Sequence, residues 1–379
     1  MKRALSALAA ACAMISAVPA QAQELRIGAI TSATGSQASI GIPYRNSYEI
    51  MPKVMHGVPV KIVTLDDASD PSVALRAAKK LLAEEKVDVI FGPNLTPSAN
   101  ATWDAIAESG TPQIATTASG VPAGKDIWAF TTPQPVSLMA GEVIKHMQAA
   151  GIKSVAYIGF ANAWGDNWEK ALSPAAAKAG IKVVAVEKYM PTDPSVQGQV
   201  LKILAAQPDA VLIGGAGTPA AMPHITLHER RYKGKVYHTH GVVNADFLRV
   251  GGKAVEGGIA PAGPLAVVDQ LPAEHPLKEA GSAYKKAIVE RFGAEAFNPF
   301  GGYGYDAYLI LDAALPHALK AGKPGTPEFK KALRDSIERV KDVRGTQGVY
   351  TMSKTDHNGV DPRAAVMVTI KDGAWKLLP

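Results

Sequence analysis

Residues 87–97 read VDVIFGPNLTP, and this stretch decides the fold. Its first five residues form a mostly apolar run of strand length that stops at Gly92. Thr96 and Pro97 then mark a helix start, because a threonine side chain can accept from free N–H groups and proline loses no hydrogen bond at the first helical position. The stretch therefore predicts a β-strand followed directly by an α-helix, the repeating unit of a parallel sheet.

The same unit recurs along the chain. Strand-like runs fall in two series, at residues 25–30, 60–65, 87–91 and 112–115, and then at residues 154–159, 181–186, 210–213 and 236–239. Helical stretches such as residues 73–85 and 97–109 separate them, and two strand-like runs at residues 364–370 and 374–378 end the chain. We predict an α/β fold with two doubly wound lobes and mainly parallel sheets.

Three further pairs repeat the helix-start pattern, namely Asp70-Pro71, Asp193-Pro194 and Thr218-Pro219. Thr96 and Thr218 each follow a strand end that contains glycine. Ligands of open parallel sheets bind at the carboxyl ends of the strands. A helix that begins there presents unpaired N–H groups to an anion, so we expect an anion site at this edge.

Residues 1–22 are typical of a secretory signal peptide. A basic start precedes an apolar run that ends at Val18, and AQA at residues 20–22 fits a cleavage signal. We expect export to the periplasm with cleavage near Ala22. The alternative, a lipid anchor at Cys12, would leave a very short apolar region.

The composition argues against several classes of protein. Cys12 is the single cysteine, so the exported chain would have no disulfide, thiol chemistry or cysteine metal site. The formal net charge of +6 falls to +4 without Lys2 and Arg3, and no run of five basic residues occurs, so we expect no nucleic-acid partner. A second long apolar stretch is absent, so we expect no membrane span. We also expect no metal, no cofactor and a monomer.

Five segments share their order and spacing with one family. They are residues 27–30 followed by Thr34, Gly35 and Gly41; residues 66–71 followed by Ala74, Ala77 and Leu81; residues 87–93; residues 112–119; and residues 301–307. Together they resemble the type I periplasmic binding proteins of ABC importers, in the leucine/isoleucine/valine-binding branch. The similarity runs from about Leu25 to the C-terminus.

The resemblance implies two lobes joined by a three-segment hinge. Residues 23–132 and 261–342 would form lobe one. Residues 133–260 and 343–379 would form lobe two. Residues 131–135 and 261–264 have the composition of linkers, which agrees with these boundaries.

The resemblance also implies ligand-binding residues. A ligand carboxylate would bind lobe one at Thr96, Thr117, Ala118 and Ser119. On lobe two, Trp164 would cover the ligand on closure, with a broad apolar face and one N–H donor. The alternatives are a helix cap for Thr96, an ordinary polar loop for Thr117 and Ser119, and packing within its own lobe for Trp164.

Two positions argue against an amino acid as the ligand. Where the amino-acid binders of this family have an acidic residue for the ammonium group, this chain has His240. Where they have a second aromatic residue, it has Ala216 or Gly217. A buried ammonium without a carboxylate is costly, so we expect a small carboxylate without an amino group, aromatic or keto in character. His240 would donate to a ligand oxygen or be a structural histidine.

Further contacts are expected around this ligand. Ala216 and Gly217 would leave room for bulk, and Tyr303 and Phe300 would line an apolar slot beside the tryptophan. Tyr44 is a further candidate from lobe one, although a solvated loop explains it equally well.

The expected mechanism is hinge closure around the ligand, without covalent chemistry. The partners implied by the resemblance are the permease and ATPase subunits of an ABC importer. A branched-chain amino acid binder of the same type and a ligand-sensing module stay open as alternatives.

An enzyme is the rival from another class. Residues 215–220 read GAGTPA after a strand, a partial dinucleotide fingerprint that would suit an NAD-dependent enzyme. The next strand, at residues 235–240, ends without the acidic residue that would bind ribose. His224 and His228 are spaced as a metal pair, but no third ligand is evident, so we predict a surface pair.

Overall fold

Strands and helices alternate in the computed structural model, which describes residues 23–379; the predicted signal peptide, with Cys12 and the cleavage site near Ala22, lies outside these residues. The strands are β1 (Leu25–Thr31), β2 (Val54–Met55), β3 (Val58–Asp66), β4 (Val89–Phe91), β5 (Gln113–Ala115), β6 (Ala129–Thr131), β7 (Ser154–Phe160), β8 (Lys182–Tyr189), β9 (Ala210–Gly214), β10 (Lys235–His238), β11 (Ile259–Ala262), β12 (Val343–Arg344), β13 (Val349–Tyr350), β14 (Val366–Lys371) and β15 (Ala374–Leu377). The helices are α1 (Ala38–Glu49), α2 (Pro71–Ala83), α3 (Thr96–Ser109), α4 (Val136–Ala149), α5 (Ala163–Lys178), α6 (Gln197–Ala205), α7 (Ala221–Glu229), α8 (Ala245–Gly251), α9 (Lys278–Phe292), α10 (Pro299–Ala321) and α11 (Pro327–Ile337).

Two sheets organise these elements. Sheet one has the order β2-β3-β1-β4-β5-β6, and sheet two has the order β15-β14-β11-β10-β9-β7-β8. Neighbouring strands are parallel except at one edge of each sheet, where β2 and the pair β14 and β15 run antiparallel to their neighbours. The predicted α/β fold with two mainly parallel sheets is confirmed.

The central strands are buried because helices cover both faces of each sheet. The central strand β4 has no exposed residue, and β9 is buried along its whole length. Such continuous apolar runs are typical of parallel strands that are covered on both sides. Sheet two takes its last two strands from the C-terminus, as the terminal strand-like runs predicted.

The predicted helix starts have mixed outcomes. The Asp70 side chain accepts from the N–H groups of Ser72 and Val73 and caps α2. The helix predicted at Asp193-Pro194 is wrong, since α6 begins only at Gln197. The Asp193 carboxylate instead accepts from the Met190 N–H at 2.8 Å and closes a turn. Thr218 begins a short 3-10 helix that leads into α7, without a side-chain cap.

A buried network, formed by Gln134, Tyr303, Asp306, Gln347 and Tyr350, ties together the segments that run between the two sheets. The Gln134 side chain donates to the backbone oxygens of Gln347 at 3.1 Å and of Ala364 at 2.7 Å, and its own oxygen accepts from the Tyr303 hydroxyl at 2.7 Å. This crossing network therefore connects the chain after β6 with α10 and with the chain before β14.

Asp306 is the charged member of the crossing network. Its carboxylate accepts from the N–H groups of Thr346 at 2.6 Å and Gln347 at 2.9 Å and from the Tyr350 hydroxyl at 2.7 Å. Burial raises the pKa of Asp306 to about 6, because desolvation outweighs the stabilisation from these donors.

The chain also approaches the crossing network closely at Gly263, just after β11. A Cβ atom on Gly263 would lie 1.9 Å from the Gln347 side-chain oxygen. Only glycine fits this position without displacing Gln347. The linker predicted at residues 261–264 thus begins inside β11 and continues into this contact.

Candidate ligand-binding site

A cavity of about 720 Å³, counting its open mouth, lies where the two sheets face each other. It is formed at the carboxyl ends of the parallel strands of both sheets, as expected for ligand sites in this fold class. The sheet-one wall comprises Ser36, Gln37, Ile40, Tyr44, Ser69, Asn94, Leu95, Thr96, Pro97, Ser98, Thr116, Thr117, Ala118, Phe300 and Tyr303. The sheet-two wall comprises Phe160, Asn162, Trp164, Pro191, Ala216, His240 and Gly241, and Pro133 lies between the two walls.

Nine of the eleven residues predicted to bind ligand line this cavity. They are Tyr44, Thr96, Thr117, Ala118, Trp164, Ala216, His240, Phe300 and Tyr303. Ser119 and Gly217 lie outside it. The structure therefore brings together residues from seven separate segments, although their role toward a ligand stays a prediction.

The start of α3 forms the polar centre of the sheet-one wall. Thr96 is the first helical residue rather than the cap, and the cap position is Leu95, whose side chain makes no capping hydrogen bond. The prediction that Thr96 caps the helix is wrong in this respect. The Thr96 hydroxyl instead lies 2.9 Å from the Thr117 hydroxyl, and both residues are buried. An uncapped helix start beside two hydroxyls is suited to an anion.

Sequence reasoning missed Asn94, which lies between β4 and α3. Its side-chain oxygen accepts from the Ser32 N–H at 2.8 Å, whereas its side-chain nitrogen is buried without a hydrogen-bond partner in the described chain. This nitrogen adds an unused donor beside the threonine pair. The position of Asn94 between a strand end and a helix start was the signal that could have identified it.

The tyrosines of the sheet-one wall present rings rather than hydroxyls. The Tyr44 hydroxyl donates to the Thr116 oxygen at 2.9 Å, and the Tyr303 hydroxyl donates to Gln134. Burial raises the pKa of each phenol well above its ordinary value. Together with Phe300 they supply apolar surface, and Arg45, next to Tyr44, is exposed.

Trp164 gives the sheet-two wall its largest face. It lies in the first turn of α5, where the Asn162 side chain caps the helix by accepting from the N–H groups of Trp164 and Gly165. The indole N–H donates to the Gly215 oxygen at 3.2 Å. The expectation that this N–H is a free donor is therefore wrong, because a neighbouring loop of sheet two already uses it.

His240 and Ala216 complete this wall. The His240 ring lies edge-on to Trp164, with the ring centroids 5.2 Å apart. Burial lowers the pKa of His240 to about 3, so the imidazole is neutral at neutral pH. The small side chain of Ala216 leaves the space in front of these rings open.

Gly217 and Ser119 are placed differently from the prediction. Gly217 has φ 61° and ψ −163°, a conformation that is nearly restricted to glycine, and its Cα faces Gln37 and Ser39 of the opposite half. It permits close approach of the two halves rather than lining the cavity. The Ser119 hydroxyl donates to the Asn100 side chain at 2.7 Å and faces a separate groove.

The cavity walls bear no full charge. Among the described residues that line the cavity, none is Asp, Glu, Lys or Arg. A ligand carboxylate would be held by neutral hydroxyls and helix N–H groups, and a ligand ammonium would find no carboxylate. Within residues 23–379, no cluster of three or more His, Cys, Asp or Glu has the arrangement of a metal site.

The predicted surface pair of His224 and His228 is wrong for His224. Its ring is buried, and its Nδ1 lies 2.9 Å from the Nε2 of His238. Burial lowers the pKa of His224 to about 4 and that of His238 well below its ordinary value. His228 alone is exposed.

Comparison with protein families identifies the type of protein to which this chain belongs. The family described as "Periplasmic binding protein" matches residues 24–374. The chain belongs to this family. As a periplasmic binding protein it has the architecture of the type I members, so the resemblance inferred from its motifs is confirmed.

Several known proteins are similar to this periplasmic binding protein. An extracellular ligand-binding receptor from Rhodopseudomonas palustris HaA2 is 40% identical, with a TM-score of 0.91 over 94% of this chain and 100% of that chain. An amino acid binding protein from Pseudomonas aeruginosa is 25% identical over 76% of this chain and 77% of its own length. A solute-binding protein of an ABC transporter from R. palustris, solved with benzoate, is 19% identical, with a TM-score of 0.79 over 94% of this chain and 95% of that chain.

These relatives define the general role. Periplasmic binding proteins bind small ligands and serve ABC transporters, and the matched family and similar structures are binding proteins rather than enzymes. The prediction that the chain is not an enzyme is confirmed on this basis. No helix among residues 23–379 is both long and apolar enough to cross a membrane.

Proposed function

We propose that this periplasmic binding protein captures a small organic acid without an amino group, aromatic or keto in character, for an ABC importer. The observation behind the proposal is the combination of an uncapped helix start, the paired hydroxyls of Thr96 and Thr117, and a wall without charged side chains. Such a wall stabilises one carboxylate without burying an ion pair.

The aromatic surface supports the second part of the proposal. The same cavity is lined by Trp164, Phe300 and Tyr303. The indole N–H and the Tyr303 hydroxyl already form hydrogen bonds within the protein. Their faces are therefore left for apolar contact with a ring or a branched chain. The similar fold that holds benzoate in R. palustris is consistent with such a ligand, although at 19% identity it establishes the fold alone.

The ligand would be captured by hinge closure. The proposed lobes are residues 23–132 with 261–342 and residues 133–260 with 343–379, and the crossing network lies where they connect. The ligand would dock at α3, after which the sheet-two wall closes over it. The ligand would stabilise the closed state relative to the open state, because it contacts both walls only when the lobes are closed. Cleavage near Ala22, a monomeric state and recognition by permease and ATPase subunits belong to the same proposal.

Matched acid pairs test the proposal. Phenylpyruvate and phenylalanine, and 4-methyl-2-oxopentanoate and leucine, differ only in a keto or an amino group. We expect the keto acid of each pair to raise the melting temperature and to bind in isothermal titration calorimetry, whereas its amino acid does not. Stabilisation by leucine or phenylalanine without stabilisation by either keto acid would favour the amino acid binder and overturn the proposal.

A further inference from the structure

His240 is a buried side chain of the sheet-two wall whose hydrogen-bonding capacity is unused. The residue is 5% exposed, and its Nδ1 atom is buried without a hydrogen-bond partner in the described chain. Its ring packs against the indoles of Trp164 and Trp168, at centroid distances of 5.2 Å and 5.7 Å. His240 is one of the residues that line the cavity.

The loop that holds His240 satisfies its own polar groups without using the imidazole. The Thr239 hydroxyl donates to the Gly215 oxygen at 2.6 Å and accepts from the Gly241 N–H at 3.1 Å. The Gly217 N–H donates to the Gly241 oxygen at 2.8 Å. The loop is therefore fixed by neighbouring backbone, and the imidazole is not needed to hold it.

The chemistry of this imidazole selects its partner. A neutral histidine has one nitrogen that donates and one that accepts. Leaving such a group unpaired in a buried site is unfavourable, so a ligand atom that pairs with it gains affinity. A hydroxyl or carbonyl oxygen can do so without placing a second charge in a cavity whose walls have none.

We propose that His240 forms a hydrogen bond with a second, uncharged oxygen of the ligand, on the side facing sheet two, while the carboxylate binds at α3. This inference rests on the proposed function and narrows the ligand to an aromatic or keto acid with a distal hydroxyl or carbonyl group. The aromatic faces set the shape of the ligand, and His240 sets its polarity at the far end.

Calorimetric titration with two matched sets of acids tests this proposal. The first set is benzoate, 4-methylbenzoate and 4-hydroxybenzoate, and the second is phenylpyruvate and 4-hydroxyphenylpyruvate. The methyl compound controls for shape, because it fills nearly the same space as the hydroxyl. We expect the hydroxylated acid of at least one set to bind about tenfold more tightly than its counterparts.

Substitution of the histidine separates polarity from packing. His240→Phe keeps an aromatic ring against the two indoles, and we expect it to abolish the preference for the hydroxylated acid. His240→Gln keeps a donor and an acceptor and should retain part of the preference, which gives a second readout if the phenylalanine variant folds poorly. The exposed His228→Gln is the matched control.

The outcomes are distinct. Equal affinity for hydroxylated and methylated acids in the natural protein, or an unchanged preference in His240→Phe, overturns the role of His240 and leaves the proposed function standing. Absence of binding by all of these acids, with binding of leucine instead, overturns the proposed function and this inference with it.

Discussion

The two walls of the cavity are built on similar strand ends but differ in chemistry. The sheet-one wall has the uncapped start of α3, two paired threonine hydroxyls and the unpaired side-chain nitrogen of Asn94 in the described chain. The sheet-two wall has an indole, an alanine and a neutral imidazole, and the corresponding helix start at α5 is capped by Asn162. One helix start is therefore open to a ligand, and the other is closed by its own side chain.

This difference suggests a division of roles. An open helix start with hydroxyls recognises a feature that every organic acid shares, whereas apolar faces and one imidazole respond to the rest of the molecule. We expect changes on the sheet-one wall to weaken all acids alike and changes on the sheet-two wall to alter which acid is preferred.

The largest effect is expected for Trp164→Ala. Removal of the indole takes away the main apolar face, and buried aromatic contacts of this kind are worth at least about 2 kcal/mol, or about 30-fold in affinity. Titration with phenylpyruvate and 4-methyl-2-oxopentanoate should show a greater loss for the aromatic acid. An unchanged ratio between the two acids would contradict the assignment of selectivity to this wall.

Trp164→Phe is the control for this variant. It keeps an aromatic face but loses part of the indole surface and the N–H group that donates to Gly215, whose oxygen also accepts from Thr239. We expect affinity within a few-fold of the natural protein. Thermal unfolding of both variants separates lost contacts from lost folding.

Thr117→Val addresses the sheet-one wall. A hydrogen bond to a charged group contributes about 1.5–3 kcal/mol, so affinity should fall about tenfold or more. The fall should be the same for aromatic and aliphatic keto acids, because the carboxylate is common to both. Thr102→Val is the control, since the Thr102 hydroxyl donates to the Ala99 oxygen, accepts from the Gln113 side chain and does not line the cavity. A loss of affinity confined to one class of acid would contradict the assignment of carboxylate recognition to the sheet-one wall.

Two buried titratable side chains affect the stability of the protein in opposite senses as the pH changes. His224, beside sheet two, has its pKa lowered to about 4 by burial, so between pH 6.5 and 4 the unfolded chain binds a proton that the folded chain does not. Its contribution to the free energy of unfolding is therefore lost as the pH falls through this window. Asp306 has a raised pKa of about 6 and acts in the opposite sense, since its contribution is lost as the pH rises through 6.

Urea unfolding of His224→Gln tests this sign. Because glutamine does not titrate, the stability of the variant relative to the natural protein should increase by about 2–3 kcal/mol between pH 7 and pH 4.5. His228→Gln, at an exposed position, should show no such change. A constant difference across this range would mean that folding does not shift the pKa of His224, which contradicts the lowered pKa.

The smallest effect is expected for Ser119→Ala. The Ser119 hydroxyl bonds to Asn100 and faces away from the cavity. Affinity for keto acids should change less than about twofold, because the buried Ser119 does not line the cavity. A tenfold loss would mean that the ligand extends into the neighbouring groove.

The fold was predictable because its signals are local. Most strands are short apolar runs, and the cap at Asp70 is read directly from the sequence around it. The same local logic failed at Asp193, where the carboxylate could close a turn or cap a helix and the choice depends on the chain before it.

The site was predictable in position but less so in chemistry. A strand end and a helix start located Thr96, since both features are sequential, whereas Thr117 was implied by the family resemblance. The indole N–H of Trp164 bonds to a residue 51 positions away, and His224 pairs with a residue 14 positions away. Contacts of this kind arise from packing of separate βα units and leave no spacing in the sequence that would reveal them.

The uncharged cavity has a consequence for the dependence of capture on acidity. The titratable side chains on its walls are Tyr44, Tyr303 and His240, and burial moves the pKa of the phenols upward and that of the imidazole to about 3. These wall residues therefore keep their protonation state across the mildly acidic and neutral range. The pH dependence of binding at the cavity walls should then be set by the ionisation of each acid's own carboxyl group.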